Sequence, residues 1–203
     1  MKEDGGEDHV AVAWQYPGQS RVVIPARFSQ VARFGGIPQT SYGAILDTWT
    51  DIGDGLNIAD LVSGTNNLSN TPNKIEHLVD WLEAPSNRCD NCGSRMKGWL
   101  VPPVTGDYEF WIASDDYGEF WLSTDNAVLD RRCHVPGFTS PREWTKYSEQ
   151  KSAPIRLIAG QAYYYWVRLS CCQNHHVIFV IFVCSTFLIY HLLLSHICHS
   201  TRP

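Results

Sequence analysis

The chain has 203 residues, a net charge of −5 and an aromatic content that includes eight Trp and nine Tyr. Its length is enough for one well-packed domain with additional segments. The acidic balance and the lack of a basic stripe exclude nucleic acid as an expected partner. Aromatic residues suit a β-sheet core and a sugar-stacking surface equally, so their number does not distinguish the two.

The chain begins with an acidic stretch and a short predicted strand, followed by a predicted linker. Residues 9–14 alternate as a β-strand does, with the sequence His-Val-Ala-Val-Ala-Trp. Residues 19–42 are interrupted by prolines and glycines. We interpret them as an interdomain linker with a short extended piece at residues 21–24. Residues 43–49 then predict the first strand of a main domain.

Two segments of the main domain have an ambiguous periodicity. Residues 55–62 fit a short helix or an irregular crossing, and residues 75–82 fit a helix about as well as a strand. The polar loop between them contains a glycosylation sequon at Asn67. That sequon matters only if the protein is exported.

The cysteine spacing is compatible with several kinds of site. Cys89 and Cys92 form a C-x-x-C pair, which occurs in half a zinc site, in redox pairs and in disulfides. A zinc site needs four ligands, and no second C-x-x-C or well-spaced His pair follows. A redox pair prefers a βαβ context, which is missing from the predicted elements. We therefore interpret the pair as surface cysteines or as a structural bridge, with Cys133 left over.

The most strongly patterned stretch is residues 105–125, which alternates twice. Apolar side chains at every second position define one face: Tyr108, Phe110 and Ile112 in the first run, and Phe120 and Leu122 in the second. With Gly118 between the runs, this pattern predicts a β-hairpin with one face toward a core. Two adjacent carboxylates, Asp115 and Asp116, would then sit at its exposed tip.

The Asp115–Asp116 pair carries the candidate chemistry. Neighbouring side chains of an extended strand point to opposite faces, so consecutive carboxylates converge on one ligand only if the backbone between them is unusual. A cis non-proline peptide would bring them together. Carboxylates, carbonyls and water suit a hard cation, which makes Ca²⁺ the natural candidate. The alternative is two solvated aspartates in a hairpin loop, where Asp is common.

The last part of the chain predicts a second hairpin and then an apolar segment. Residues 153–158 and 161–169 flank a turn at Ala159-Gly160, and the Tyr-Tyr-Tyr-Trp run at 163–166 is apolar on both faces, which indicates a central strand. Residues 177–194 carry no formal charge and would be about 27 Å long as a helix. We interpret them as a C-terminal membrane anchor or as translated non-coding sequence.

Three strings of residues together resemble the PA14 domain family. They are Arg-Met-Lys-Gly-Trp-Leu-Val-Pro-Pro-Val-Thr-Gly-Asp-Tyr-Glu-Phe-Trp-Ile-Ala-Ser-Asp-Asp at 95–116, Ser-Ala-Pro-Ile-Arg-Leu at 152–157 and Ala-Gly-Gln-Ala-Tyr-Tyr at 159–164. The resemblance covers about residues 42–169 and implies an antiparallel β-sandwich or barrel. It also implies that Asp115 and Asp116 match a pair, joined by a cis peptide, that holds Ca²⁺ against sugar hydroxyls in the lectin-like members.

The two ends of the chain differ from the family pattern. Residues 1–18 resemble the final loop and strand of a PA14 domain, whereas the loop and strand expected after Leu169 are replaced by the apolar tail at 170–203. An edge without its last strand would expose unpaired backbone groups. We therefore hypothesise that the N-terminal segment fills the vacant position of the 43–169 domain. Asp8 would then approach the carboxylate pair and complete an acidic cation site.

These observations predict an all-β fold, an antiparallel PA14-like sandwich or barrel, with a separate apolar and helical C-terminal segment. The expected function is a non-enzymatic carbohydrate-binding or adhesion module of a secreted or cell-surface protein. Its metal ligands for Ca²⁺ would be Asp115, Asp116 and Asp8, and Tyr117 would add apolar contact to the sugar.

Two other functions are alternatives to this one. A structural or protein-interaction module of a larger protein would have no ligand of its own. An enzyme is not expected, because the sequence contains no G-x-S-x-G, H-E-x-x-H or Walker loop. A membrane is expected as a partner only through residues 177–194.

Overall fold

A computed structural model describes residues 9–31, 42–50, 52, 71–86, 89, 92–124 and 129–171. These residues form β-strands joined by turns, with short 3₁₀ helices at Ala26–Phe28 and Ser148–Gln150. In chain order the strands are β1 (His9–Gln15), β2 (Val22–Val23), β3 (Ser29–Gln30), β4 (Ala44–Thr50), β5 (Lys74–Leu78), β6 (Glu83–Ala84), β7 (Cys92–Leu100), β8 (Gly106–Asp115), β9 (Gly118–Ser123), β10 (Leu129–Val135), β11 (Ile155–Leu157) and β12 (Tyr163–Cys171).

The strands form two antiparallel sheets that pack face to face. The smaller sheet has the order β11-β8-β1-β2, with β6 also paired to β1. The larger sheet has the order β10-β9-β12-β7-β4-β5, with β3 also paired to β7. Side chains from the inner faces of both sheets make one hydrophobic core. The predicted all-β antiparallel sandwich is therefore confirmed.

The core follows from the period-two pattern of the central strands. Phe110 of β8 and Phe120 of β9 face each other across the sandwich with ring centroids 4.9 Å apart. Tyr165 of β12 continues this contact from the larger sheet, 6.4 Å from Phe120. All three rings have no exposed surface. Burying an aromatic ring of this size stabilises the fold by about 2–3 kcal/mol, so this cluster contributes strongly to cohesion between the sheets.

The predicted hairpin over residues 105–125 is wrong in its connectivity. β8 pairs with β1 and β11 in the smaller sheet, whereas β9 pairs with β10 and β12 in the larger one. The chain therefore crosses from one sheet to the other between Asp115 and Gly118. The alternation was identified correctly, but both apolar faces point into the same core from opposite sides. A period-two pattern is the same for two strands that pair and for two strands that face each other.

The predicted second hairpin is wrong for the same reason. β11 pairs with β8 in the smaller sheet, and β12 lies between β7 and β9 in the larger one. The turn near Gly160 therefore also joins the two sheets. The central position predicted for the 163–166 run is correct, because strand β12 has a neighbour on each side.

The N-terminal strand is built into the middle of the smaller sheet. β1 pairs with β8 along its whole length, from His9 opposite Asp115 to Gln15 opposite Glu109. Its other side carries β2 and β6. This is where the structure places the segment that we expected to dock onto the 43–169 domain.

The described part of the predicted linker also belongs to the fold. β2 pairs with β1, and Ile24 and Ala26 are fully buried. Ser29 donates a hydrogen bond to the Gly43 carbonyl at 2.6 Å and lies 2.8 Å from the Tyr165 hydroxyl. Residues 19–31 therefore help to close the sandwich instead of only spanning a gap.

The structure decides between the alternatives for residues 75–82 and for the cysteines. Residues 74–78 form a strand, β5, which was one of the two alternatives. Cys89 and Cys92 form a disulfide, and Cys133 is a buried free thiol whose pKa is raised by desolvation. Residues 55–62 and the Asn67 sequon lie outside the described residues.

The described residues contain no helix long and apolar enough to cross a membrane. The predicted membrane span at residues 177–194 lies outside them, as does the rest of the tail beyond Cys171.

Candidate functional site

The predicted carboxylate pair lies where the chain crosses between the sheets. Asp115 is the last residue of β8, and Gly118 is the first residue of β9. We call residues 115–117 the carboxylate turn. The peptide bond between Asp115 and Asp116 is cis. Asp115 is 3% exposed and Asp116 is 6% exposed, so both the exposed tip and the alternative of two solvated aspartates are wrong.

Hydrogen bonds on both sides hold the backbone before the turn. The Ser114 amide donates to Thr139 Oγ1 at 3.0 Å, and the Thr139 amide donates to the Ser114 carbonyl at 2.9 Å. Ser114 Oγ donates to the Asp116 carbonyl at 2.8 Å, across the cis peptide. Ser114 and Thr139 are both fully buried. The loop before residue 140 therefore anchors the end of β8.

Gly118 is required by the close approach of β9 to β8. A Cβ at this position would lie 2.8 Å from Ser114 Cβ and 3.2 Å from Ile112 Cδ1, and it would also collide with Ser114 Oγ. Because Ser114 Oγ is bonded to the Asp116 carbonyl, a larger residue here would displace the carboxylate turn itself. Gly118, which we expected in a hairpin turn, is therefore needed where β9 passes close to Ser114 and Ile112 of β8.

A histidine of the N-terminal strand lies beside the start of the carboxylate turn. His9 lies opposite Asp115 in the β1–β8 ladder and is 2% exposed. The predicted third ligand, Asp8, lies outside the described residues. Tyr117, the predicted sugar contact, follows the carboxylate pair directly and is half-buried.

No sequence pattern indicated that His9 and Thr139 lie beside the pair. His9 and Thr139 are far from Asp115 in the sequence and come together only through strand pairing and loop packing. The only sequence signal was the resemblance of residues 1–18 to the end of a PA14 domain, which pointed to the segment but not to the histidine.

The donor chemistry of the turn fits a hard cation. Carboxylate and carbonyl oxygens are the ligands that Ca²⁺ prefers, and buried carboxylates in proteins are either paired or bound to metals. The described part of the chain contains no group of three or more His, Cys, Asp or Glu side chains placed to hold a metal. Asp115 and Asp116 would therefore share the ion with carbonyl oxygens, water or a ligand.

These features define a β-sandwich module with a buried acidic turn between its two sheets. The PA14 domain family matches residues 58–177, which is more than half of the chain, and the chain belongs to this family. The predicted family assignment is confirmed.

A mouse protein (Mus musculus) named N-acetyl-beta-glucosaminyl-glycoprotein 4-beta-N-acetylgalactosaminyltransferase 1 is similar to part of the chain. The two are 39% identical over 88 residues, which are 40% of this chain and 8% of that protein. The chain thus spans less than a tenth of this relative's length. No solved structure matches the chain.

Proposed function

We propose that this chain is a non-enzymatic carbohydrate-binding module that uses the carboxylate turn, with Ca²⁺, in a secreted or cell-surface protein. The observation that carries the proposal is the burial of two consecutive carboxylates at the crossing between the sheets of a PA14 domain. Burying two carboxylates side by side is costly unless cationic or hydrogen-bonding partners offset their charge.

A glycan-related setting is also supported by the mouse relative. Its name describes the transfer of an N-acetylgalactosamine group to a glycoprotein sugar. This chain corresponds to a small part of that protein, so the similarity supports a module within a glycan-handling protein and not the transfer activity itself.

Each residue of the turn would have a defined role. Asp115 and Asp116 would hold the ion, and Tyr117, half-buried beside them, would offer an apolar ring face to a sugar. Bound Ca²⁺ would supply direct coordination of sugar hydroxyls. The hydrogen bonds from Ser114 to Thr139 and to the Asp116 carbonyl hold the backbone of the turn, which reduces the ordering cost of binding.

Calcium titration followed by thermal unfolding tests the metal part of the proposal. An ion that binds only the native state raises the melting temperature, by about 5–10 °C at a hundredfold excess over Kd. We expect the rise in the unmodified chain and its loss in Asp115→Asn and Asp116→Asn. Asp107→Asn removes the same charge at the exposed start of β8 and should keep the rise.

Binding to an array of neutral glycans, with and without EDTA, tests the sugar part. We expect binding that EDTA abolishes and that Asp107→Asn retains. Calcium uptake without any glycan binding would make the ion structural and would favour a protein-interaction module. No calcium response at all would overturn the proposal.

A further inference from the structure

The outer face of the larger sheet carries a row of aromatic rings that the proposed function does not use. Trp121 of β9 lies opposite Trp166 of β12, and Tyr164 of β12 lies opposite Trp99 of β7. The Trp99 and Tyr164 rings are 5.1 Å apart, and the Tyr164 and Trp166 rings are 6.0 Å apart. All four side chains are half-buried. We call these four residues the aromatic strip.

The polar groups of the strip are already bonded to one another. Trp121 Nε1 donates to Glu119 at 2.9 Å, and Trp166 Nε1 donates to the Tyr164 hydroxyl at 2.6 Å. The rings therefore offer mainly their apolar faces. Because three neighbouring strands hold them, they form a continuous surface roughly 10 Å wide across the strands.

Arg168 lies at one end of the aromatic strip. Its guanidinium is 4.8 Å from the Trp166 ring centroid and 5.4 Å from that of Trp121. Its buried Nε atom has no hydrogen-bond partner, and the side chain makes no ion pair within the described part of the chain. An arginine held by two rings and without an ion pair among the described residues is placed to receive a planar anion through its terminal guanidinium nitrogens, since Nε itself is buried.

The carboxylates near Arg168 are already engaged. Glu119, opposite Arg168 on β9, accepts from Arg131 at 2.9 Å as well as from Trp121. Asp47 accepts from both Arg95 and Lys97 at 2.7 Å.

Cations therefore outnumber carboxylates on this face, although the whole chain has a net charge of −5. Arg95 also lies directly opposite Arg168 in the ladder. Like charges directly opposite each other are unfavourable, and burial also lowers the pKa of Arg168. An incoming anion would relieve both effects.

We propose that Arg168 and the aromatic strip form a second binding site, independent of Ca²⁺, for a glycan that carries a carboxylate or sulfate group. The anion would pair with the guanidinium, and the apolar faces of neighbouring sugar rings would contact the parts of Trp166 and Trp121 that Arg168 leaves uncovered. The rings are inclined to one another, by 49° between Trp99 and Tyr164 and by 77° between Tyr164 and Trp166. Separate rings held on a rigid sheet suit successive sugar rings, one aromatic ring to each sugar, better than they suit a flexible acidic peptide. The site does not depend on the carboxylate turn.

The test measures binding of the full chain to three polysaccharides in the presence of EDTA. They are chondroitin sulfate, which carries sulfate and carboxylate groups, hyaluronan, which carries carboxylates alone, and dextran, which is neutral. We expect one or both anionic chains to bind and dextran not to bind, with affinity falling as salt is raised. Binding of the sulfated chain alone would identify sulfate as the recognised group.

Paired arginine variants connect the binding to Arg168. Arg168→Gln should weaken binding at least about tenfold, because a charge-assisted hydrogen bond is lost. Arg168→Lys keeps the charge but not the planar fork, so we expect an intermediate loss. Arg21→Gln is the matched control, because Arg21 lies 5.1 Å over the Trp111 ring on the other sheet. It removes the same charge from a similar contact and should leave binding unchanged.

Two further variants separate stacking from charge alone. Trp166→Ala and Trp121→Ala should also weaken binding, with thermal unfolding used to confirm that both variants fold. Equal binding by Arg168→Gln and the unmodified chain would overturn the proposal. Equal binding of poly-glutamate would also overturn it, in favour of an acidic protein partner. EDTA is present throughout, so a failure here leaves the calcium-dependent proposal to its own test.

Discussion

The outer faces of the two sheets use the same kind of contact for different purposes. On the smaller sheet, Trp111 of β8 is 5% exposed, with Arg21 5.1 Å and Lys151 5.3 Å from its ring centroid. Its ladder partner Ala13 is fully buried. On the larger sheet, by contrast, the rings of the aromatic strip keep part of their surface in solvent.

The difference shows that a cation over an aromatic ring is not itself a sign of function. Trp111 is almost completely buried beneath Arg21 and Lys151, and Lys151 is also paired with Glu109 at 2.8 Å, so these contacts close that face. Arg168 makes no ion pair among the described residues and lies at the edge of an open row of rings. Whether the ring beneath a cation is buried or exposed, and not the cation–ring contact itself, distinguishes a structural contact from a binding surface.

The largest expected effect contrasts two tryptophans, one inside and one on the open face. Trp14→Ala removes a ring that is 1% exposed and packed against Phe28 and Tyr108. It should lower the free energy of unfolding by about 3–5 kcal/mol in urea denaturation. Trp166→Ala should cost clearly less, because its ring is half-buried. Equal losses would mean that the outer face of the larger sheet is covered in solution.

A smaller effect is expected from the buried carboxylate on the larger sheet. Asp47 is 1% exposed and accepts from both Arg95 and Lys97. Asp47→Asn leaves two cations without their counter-charge and should cost about 1–3 kcal/mol by urea denaturation. Asp107→Asn on the smaller sheet breaks a solvent-exposed pair and should change stability by less than about 0.5 kcal/mol. Similar losses of unfolding free energy in the two variants would contradict the burial of Asp47.

The next effect concerns the polar contact that ties β3 to the inner face of the larger sheet. Ser29→Ala leaves the buried Tyr165 hydroxyl without its partner. We expect a loss of about 1–2 kcal/mol in the free energy of unfolding. Ser148→Ala removes an exposed hydroxyl and serves as the control. If Ser29→Ala unfolds at the same urea concentration as the unmodified chain, the β3 contact is not formed.

The smallest effect is a pH dependence on the open face. His134 lies opposite Glu119, and burial followed by repulsion from Arg131 lowers the pKa of His134 below its ordinary value of 6.5. The unfolded chain therefore binds the proton first, so stability falls as pH drops below about 6.5. His134→Gln should flatten this slope between pH 7 and pH 5. Above pH 8 the two proteins should show the same slope, and identical slopes in both ranges would exclude this role for His134.

Much of the architecture could be predicted from the spacing of apolar residues. The alternation of Tyr108, Phe110 and Ile112 correctly identified a strand with one face in the core. The pairing could not be predicted in the same way, because the pattern of β8 and β9 fits a hairpin as well as a crossing between sheets. Long-range partners decide which of the two forms.

The candidate site shows the same division. Asp115 and Asp116 were identified from the sequence, because consecutive carboxylates between two strands are chemically distinctive. Their burial, and the position of His9 opposite Asp115, depend on β1 entering the smaller sheet from the other end of the chain. Arg168 was not predicted as a site residue, because one of its two aromatic neighbours, Trp121, lies on a different strand.

The amino-acid sequence by itself determined which residues form strands, which side of most strands faces the core and which family the chain belongs to. These properties are local, because side-chain direction in a strand alternates with every residue. Only the tertiary structure decided which strands pair, which carboxylates are buried and which aromatic face stays open. Those outcomes depend on hydrogen bonds and packing between residues far apart in the chain, and no local pattern encodes them.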